Sequence, residues 1–277
     1  MKKKITVLVI GPTRTATTAL WQGLKGVETV SVARTKENYF FGRRLAGKSN
    51  QSYDDYLSKH FARDIRVDFE PSIFHSDDQL REAFATPGID RFVGILRPPL
   101  DLYKSAYGYN TRNGMTYDGF EAFFQKASGY YAYSRVAAVA HDAGVSIVWL
   151  PHDALVTDLR VLFTAAGVPC ASESALPLMQ LNSSQKQVSA IGRVVKQARA
   201  LKGIALVRTV AERVRGSWVY EKLLYSPTKP ALSIPASELA AVRTSLAKEE
   251  AYYQSLLLRA KTDLADHPVQ LCNSYDL

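Results

Sequence analysis

The chain has 277 residues, a formal charge of +9 from 35 Lys and Arg against 26 Asp and Glu, 47% hydrophobic residues and 22% charged ones. That length suits one large domain with a substantial core, and the composition excludes collagen-like, coiled-coil and disordered classes. The positive excess favours an anionic partner (a nucleotide, a sulfated sugar, nucleic acid or a membrane surface) without choosing among them. Cys170 and Cys272 stand far apart with no metal-ligand spacing, which reads as two free thiols in a reducing compartment.

Ile5–Ile10 is a short β-branched run stopped by Gly11-Pro12 and reads as a buried parallel strand. The basic start before it imitates a signal peptide, but the run ends in a Gly-Pro-Thr-Arg turn with no small-residue cleavage site. No segment approaches the ~18 apolar residues that span a bilayer, so no membrane span and a cytoplasmic location are expected. From Thr15 or Ala16 to Lys25 the spacing turns helical, with Ala19, Leu20 and Leu24 on one face. Further strands are expected at Thr29–Ala33, Ile65–Phe69, Phe92–Leu96 and Ser146–Leu150. Helices are expected between them, around Tyr53–Phe61, Asp77–Ala85, Leu100–Asn110, Phe120–Lys126 and Tyr131–Ala143. This alternation predicts an α/β fold: a P-loop-containing three-layer sandwich with a mostly parallel central sheet. After Pro177 the texture becomes helical at Ser189–Leu201, Ile204–Val214 and Ser237–Ala260, interrupted by the proline-rich YSPTKPALSIP at 225–235. Residues 1–185 are therefore read as the core and 186–277 as a helical C-terminal extension of the same domain, a lid or an acceptor-binding element.

Three stretches carry candidate chemistry. The first is GPTRTATTAL at 11–20, a strand–turn–helix context for a phosphate loop that lacks the lysine of a Walker A motif. Successive backbone N–H groups of the loop and the helix start, the hydroxyls of Thr15, Thr17 and Thr18, and the fork of Arg14 suit a phosphate or sulfate group. Read plainly, it is a Thr-rich helix start. The second is FVGILRPPLDLYKSAYGYNTR at 92–112, where a strand delivers Arg97 to its C-terminal end and Ser105 follows eight residues later on a helix. Ligands of open α/β sheets gather at that edge; alternatively Arg97 pairs with Asp101 and Ser105 is a solvated helix position. The third is ARTKENYFF at 33–41, where Lys36 and Glu37 precede Phe40-Phe41. A carboxylate there can take a proton from an incoming hydroxyl or amine, and the ammonium can hold charge on a transferred group. The same dipeptide is common on surfaces, and paired phenylalanines are common in cores.

In this order and spacing the three stretches resemble the sulfotransferases that use 3′-phosphoadenosine 5′-phosphosulfate (PAPS). The resemblance covers roughly residues 5–185 and is closest in style to the carbohydrate-type and bacterial members. It implies that Pro12, Thr13, Arg14, Thr15, Ala16, Thr17 and Thr18 bind the 5′-phosphosulfate. It likewise implies that Arg97 and Ser105 bind the 3′-phosphate, that Glu37 is the base, and that Lys36 and Arg14 stabilise the transferred group. PAPS is then the donor, 3′,5′-bisphosphate (PAP) the product, no metal is required, and the acceptor is a carbohydrate, lipid or small metabolite. DFEPSIF at 68–74 matches the family's next strand and Pro-Ser-aromatic turn but lacks the lysine that often precedes it. Ala16 stands where the family has glycine, which demands either negative φ or tolerated strain. His75 offers a second candidate base, ranked below Glu37. Tyr103, Tyr107, Tyr109, Tyr130, Tyr131 and Tyr133, with Arg112, suggest an aromatic and basic acceptor pocket or else packed core.

Two other readings stay open on the sequence. A P-loop small-molecule kinase needs the missing lysine and a carboxylate for Mg²⁺. A non-catalytic module binding nucleic acid or another polyanion fits the charge but has no helix-turn-helix, zinc or RNP-like signature, so no nucleic acid partner is expected.

Overall fold

The structure is a computed structural model that describes residues 4–167, 187–188, 225–226 and 233–266. Its centre is a five-stranded, all-parallel sheet of β1 (Ile5–Ile10), β2 (Val30–Val32), β3 (Ile65–Phe69), β4 (Arg91–Leu96) and β5 (Ile147–Pro151), in the order β2-β3-β1-β4-β5. β1 is the middle strand, and Val7 to Ile10 are wholly buried. An unbroken apolar run there follows from burial on both faces, because parallel strands need crossover helices that cover the sheet on either side.

One face of the sheet presents Val7, Val9, Val67, Phe69, Val93 and Ile95 to a core shared with Leu20, Leu24, Leu155, Leu159, Leu162 and Phe163. The last six come from α1 (Thr17–Leu24), α8 (His152–Thr157), Leu159 and α9 (Arg160–Ala166). α2 (Phe40–Leu45), α3 (Tyr53–His60), α4 (Asp77–Ala85), α5 (Pro99–Arg112), α6 (Phe120–Ala127) and α7 (Tyr133–Asp142) complete the succession before β5, with a 3₁₀ turn at Pro71–His75. Ser52 and Ser76 cap α3 and α4, each accepting the amide three residues on, with aspartates in both first turns. Gly94 of β4 leaves room for the Trp149 ring on the neighbouring strand, into which a Cβ would collide. The C-terminal helices are α10 (Ala236–Ser245) and α11 (Ala247–Asp266), so the helix expected over Ser237–Ala260 is broken at Leu246. The helices expected at 189–201 and 204–214 lie outside the described residues.

The chain divides into two compact units. The first comprises Met1–Tyr103, Ala127–Asn182 and Arg243–Leu277 and contains the whole parallel sheet with α11, which packs on β5 and α7. The second comprises Lys104–Lys126 and Ser183–Val242. Within it Tyr107, Tyr117, Phe120 and Phe123 form an aromatic cluster. Glu238 there accepts the amides of Phe120 and Glu121 at 2.5 and 3.0 Å, capping α6 from a distant part of the sequence. A short antiparallel pair, β6 (Gln187–Val188) and β7 (Tyr225–Ser226), belongs to this unit.

Candidate functional site

The turn from β1 into α1 carries the first expected anion grip. Arg14 and Ala16 both have positive φ, 79° and 61°, on either side of the fully buried Thr15. Thr15 Oγ1 donates to the Pro12 carbonyl at 2.8 Å and closes the turn. Ala16 therefore tolerates the left-handed conformation that glycine would adopt freely; it caps α1 with no side-chain hydrogen bond. Among the described residues the amides of Thr15, Ala16, Thr17 and Thr18 have no protein acceptor, so four consecutive donors open the helix. Such a run of N–H groups at a helix N-terminus is suited to an anion.

Arg97, at the exit of β4, comes to this loop. Its Nη1 donates to the Arg14 carbonyl at 2.5 Å. The same guanidinium, after burial, helps to hold the His152 imidazole below its usual range. Arg97, expected to grip a second phosphate at its own strand end, thus also touches the phosphate loop directly, through the loop backbone. Ser105 is half-buried on α5 in the second unit, so its role beside Arg97 rests on sequence alone.

Lys36 and Glu37 follow β2 and form an ion pair. Tyr39 donates its hydroxyl to the other carboxylate oxygen of Glu37 at 2.9 Å. The segment that carries them is braced from below. Asn38 Nδ2 donates to the Thr35 carbonyl and to the Tyr56 hydroxyl, and the Phe40 amide donates to Glu70 Oε1 at 3.2 Å. Tyr39 then takes φ 52°, turning the chain into α2 and driving Phe40 and Phe41 into the core against Tyr53 and Tyr56. The aromatic pair is therefore structural, and the adjoining Lys36 and Glu37 keep only part of their side chains exposed.

Glu70 and Asp68 form a buried acidic pair that the sequence alone did not single out. Asp68 is fully buried on β3 and accepts the hydroxyls of Tyr53 and Tyr56 at 3.1 and 3.0 Å and the Phe69 amide at 3.0 Å. Burial pushes its carboxyl up, while those three donors pull it back. Glu70 is equally buried and is pushed up to about 8, first by burial and then by the Asp68 charge. Its protonated form is thereby favoured well above the usual glutamate range, against the pull of the Phe40 amide it holds. The available sequence signal was the acid-aromatic-acid spacing of Asp68-Phe69-Glu70, which places one acid within a buried strand and the other just past its end.

His75 closes the 3₁₀ turn with its ring among Phe74, Tyr130 and Tyr131. Nδ1 lies 2.9 Å from the Tyr130 carbonyl and so carries the proton. Nε2 then accepts, with the Thr13 amide of the phosphate loop 3.5 Å away. Burial holds this imidazole below its usual range. Tyr103, Tyr131 and Tyr133 are buried in the first unit, whereas Tyr109 and Tyr130 are exposed and Tyr107 is half-buried; three of the six expected pocket tyrosines are packed core. No group of three or more metal-ligating side chains occurs among the described residues, and no described helix is long and apolar enough to cross a membrane.

No protein-family model and no curated protein match this chain. Among solved structures, the chain is similar to the crystal structure of a sulfotransferase from Alicyclobacillus acidocaldarius, at 13% identity and TM-score 0.49, covering 76% of this chain and 97% of that one.

Proposed function

We propose that this protein transfers a sulfuryl group from PAPS to a hydroxyl or amine of an acceptor. The observation that carries the reading is the loop at 11–18. It offers four consecutive amides without a protein acceptor among the described residues, and the guanidinium of Arg97 is anchored on its backbone. A donor whose negative charge is divided between a 5′-phosphosulfate and a 3′-phosphate matches two such grips better than a triphosphate does. The loop amides, the hydroxyls of Thr17 and Thr18 and the Arg14 side chain hold the 5′-phosphosulfate, the Thr15 hydroxyl being committed to the Pro12 carbonyl; Arg97, with Ser105 as the sequence assigns it, holds the 3′-phosphate. Glu37 takes the acceptor proton as the new bond to sulfur forms and the bond from sulfur to the bridging oxygen breaks. The electron pair leaves with PAP, and Lys36 and Arg14 stabilise charge on the sulfuryl and departing oxygens.

The test is a melting panel with PAP, ADP, ATP-Mg²⁺ and NAD. A ligand at ~100 times its dissociation constant adds about 2.7 kcal/mol of stability. PAP is expected to stabilise selectively, and Arg97→Ala to lose that protection. Stabilisation by ATP-Mg²⁺ with none by PAP overturns the proposal in favour of a kinase. Tight, salt-sensitive DNA binding with no PAP effect overturns it in favour of a polyanion-binding protein.

A further inference from the structure

We propose that Tyr133 is a positioning residue for nucleotide recognition: its buried hydroxyl clamps the backbone of Arg97 at the strand exit and so fixes the place from which that side chain, braced on the Arg14 carbonyl, meets the 3′-phosphate. The inference rests on the donor reading above and extends it to a residue from a different element.

β4 ends at Leu96, paired with Pro151, and the chain then runs into Pro98-Pro99, which have no amide hydrogens. Arg97 is thus left at the strand exit with an N–H and a C=O that no ladder satisfies. The Tyr133 hydroxyl meets both. It lies 2.9 Å from the Arg97 amide, from which it accepts, and 2.9 Å from the Arg97 carbonyl, to which it donates. A phenol has one proton and two lone pairs, so a single group can make both bonds. Tyr133 has no exposed surface, and its ring packs edge-on against Phe74 and Trp149 and tilted against Tyr253. Its backbone is pinned as well. Glu249 of α11 accepts the Tyr133 amide at 2.5 Å, the Ser134 amide at 3.2 Å and the Ser134 hydroxyl at 2.5 Å.

These contacts form one continuous chain. Glu249 fixes the start of α7, the start of α7 fixes the Tyr133 ring, the hydroxyl fixes the Arg97 backbone, and the Arg97 side chain reaches the Arg14 carbonyl. Three of these four links join parts of the sequence that are distant from one another, as rigid placement of a charged fork at a strand end requires. Misplacement of such a group by about 1 Å can cost ~100-fold in a reaction that depends on it.

The experiment measures the affinities of PAP and 5′-AMP for the full chain, wild type and Tyr133→Phe. Phenylalanine keeps the ring and its packing and removes only the hydroxyl. The two ligands differ by the 3′-phosphate, so their affinity ratio reads the grip on that phosphate, to which Arg97 contributes its guanidinium. Wild type is expected to prefer PAP, and Tyr133→Phe to lose roughly tenfold or more of that preference with 5′-AMP affinity nearly unchanged. Trp149→Phe, which disturbs the same ring without touching the hydroxyl, is expected to lower the melting temperature and leave the ratio intact. An unchanged ratio in Tyr133→Phe, or an equal fall in Trp149→Phe, overturns the clamp while the donor reading stands. Failure of wild type to bind PAP overturns the donor reading and this inference with it. Hydrogen exchange on the wild-type chain gives a second measure that needs no variant. The Arg97 amide is expected to be protected, and rapid exchange there overturns the inference.

Discussion

Glu70→Gln is expected to stabilise the protein, and to do so only above the pH at which a free glutamate ionises. Glu70 has no exposed surface, holds the Phe40 amide at 3.2 Å and faces the Asp68 charge. Its carboxyl is raised from 4.5 to about 8. Between those two values the folded chain binds a proton that the unfolded chain has released. Stability therefore falls as pH rises through this window, by about 1.4 kcal/mol for each pH unit at the steepest. Asp68 bears part of the same burial penalty, which holds the expected gain for the variant to roughly 2–4 kcal/mol at pH 8. A glutamine keeps the amide acceptor and does not ionise. Converted at ~2–4 °C per kcal/mol for a chain of this size, the gain is on the order of 4–16 °C. The assay is a pair of melting curves from pH 4.5 to 8.5. His75, whose imidazole is lowered, works with the opposite sign: stability tied to its neutral form is present above about 6.5 and is lost as pH falls through its depressed value. The difference between variant and wild type removes that contribution. Curves that run parallel from pH 5 to 8 would refute a neutral, buried Glu70.

Three further outcomes follow from the same geometry. Ala16→Gly should raise stability by up to about 1 kcal/mol, because φ 61° costs alanine ~1–2 kcal/mol while glycine adds ~0.4–1 kcal/mol of unfolded-state entropy; urea midpoints measure it, and a clear loss would mean the left-handed turn is not strained. Glu249→Ala should cost roughly 1–3 kcal/mol, since it orphans two amides at the start of α7 and the Ser134 hydroxyl, whereas Glu249→Gln should recover much of this. Glu37→Gln should keep the melting shift with PAP and lose ~100-fold or more in turnover, the usual range for a general base; wild-type turnover would remove Glu37 from the mechanism.

The sheet was legible because its central strands are buried on both faces, which forces unbroken apolar runs such as VLVI in β1. Serines at helix starts and Gly-Pro punctuation gave most boundaries to within two residues, as at Asp77–Ala85. Short helices escaped notice: α2, α8 and α9 have six or seven residues, too few turns to establish a period. Chemical character was also legible at Arg14, Lys36, Glu37 and Arg97, since local motifs dictate which charges stand at strand ends. Sequence could not say that Ala16 is left-handed, as its propensity opposes it and only the closed turn around Thr15 enforces it. Nor could it reveal Tyr133 clamping Arg97, Glu249 capping α7, or Glu70 holding Phe40, separated by 36, 116 and 30 residues. Hydrogen bonds between polar atoms far apart along the chain carry no periodic signal. Local pattern determined the elements and the residues of the candidate site, and only burial in the tertiary fold decided which polar groups had to find one another.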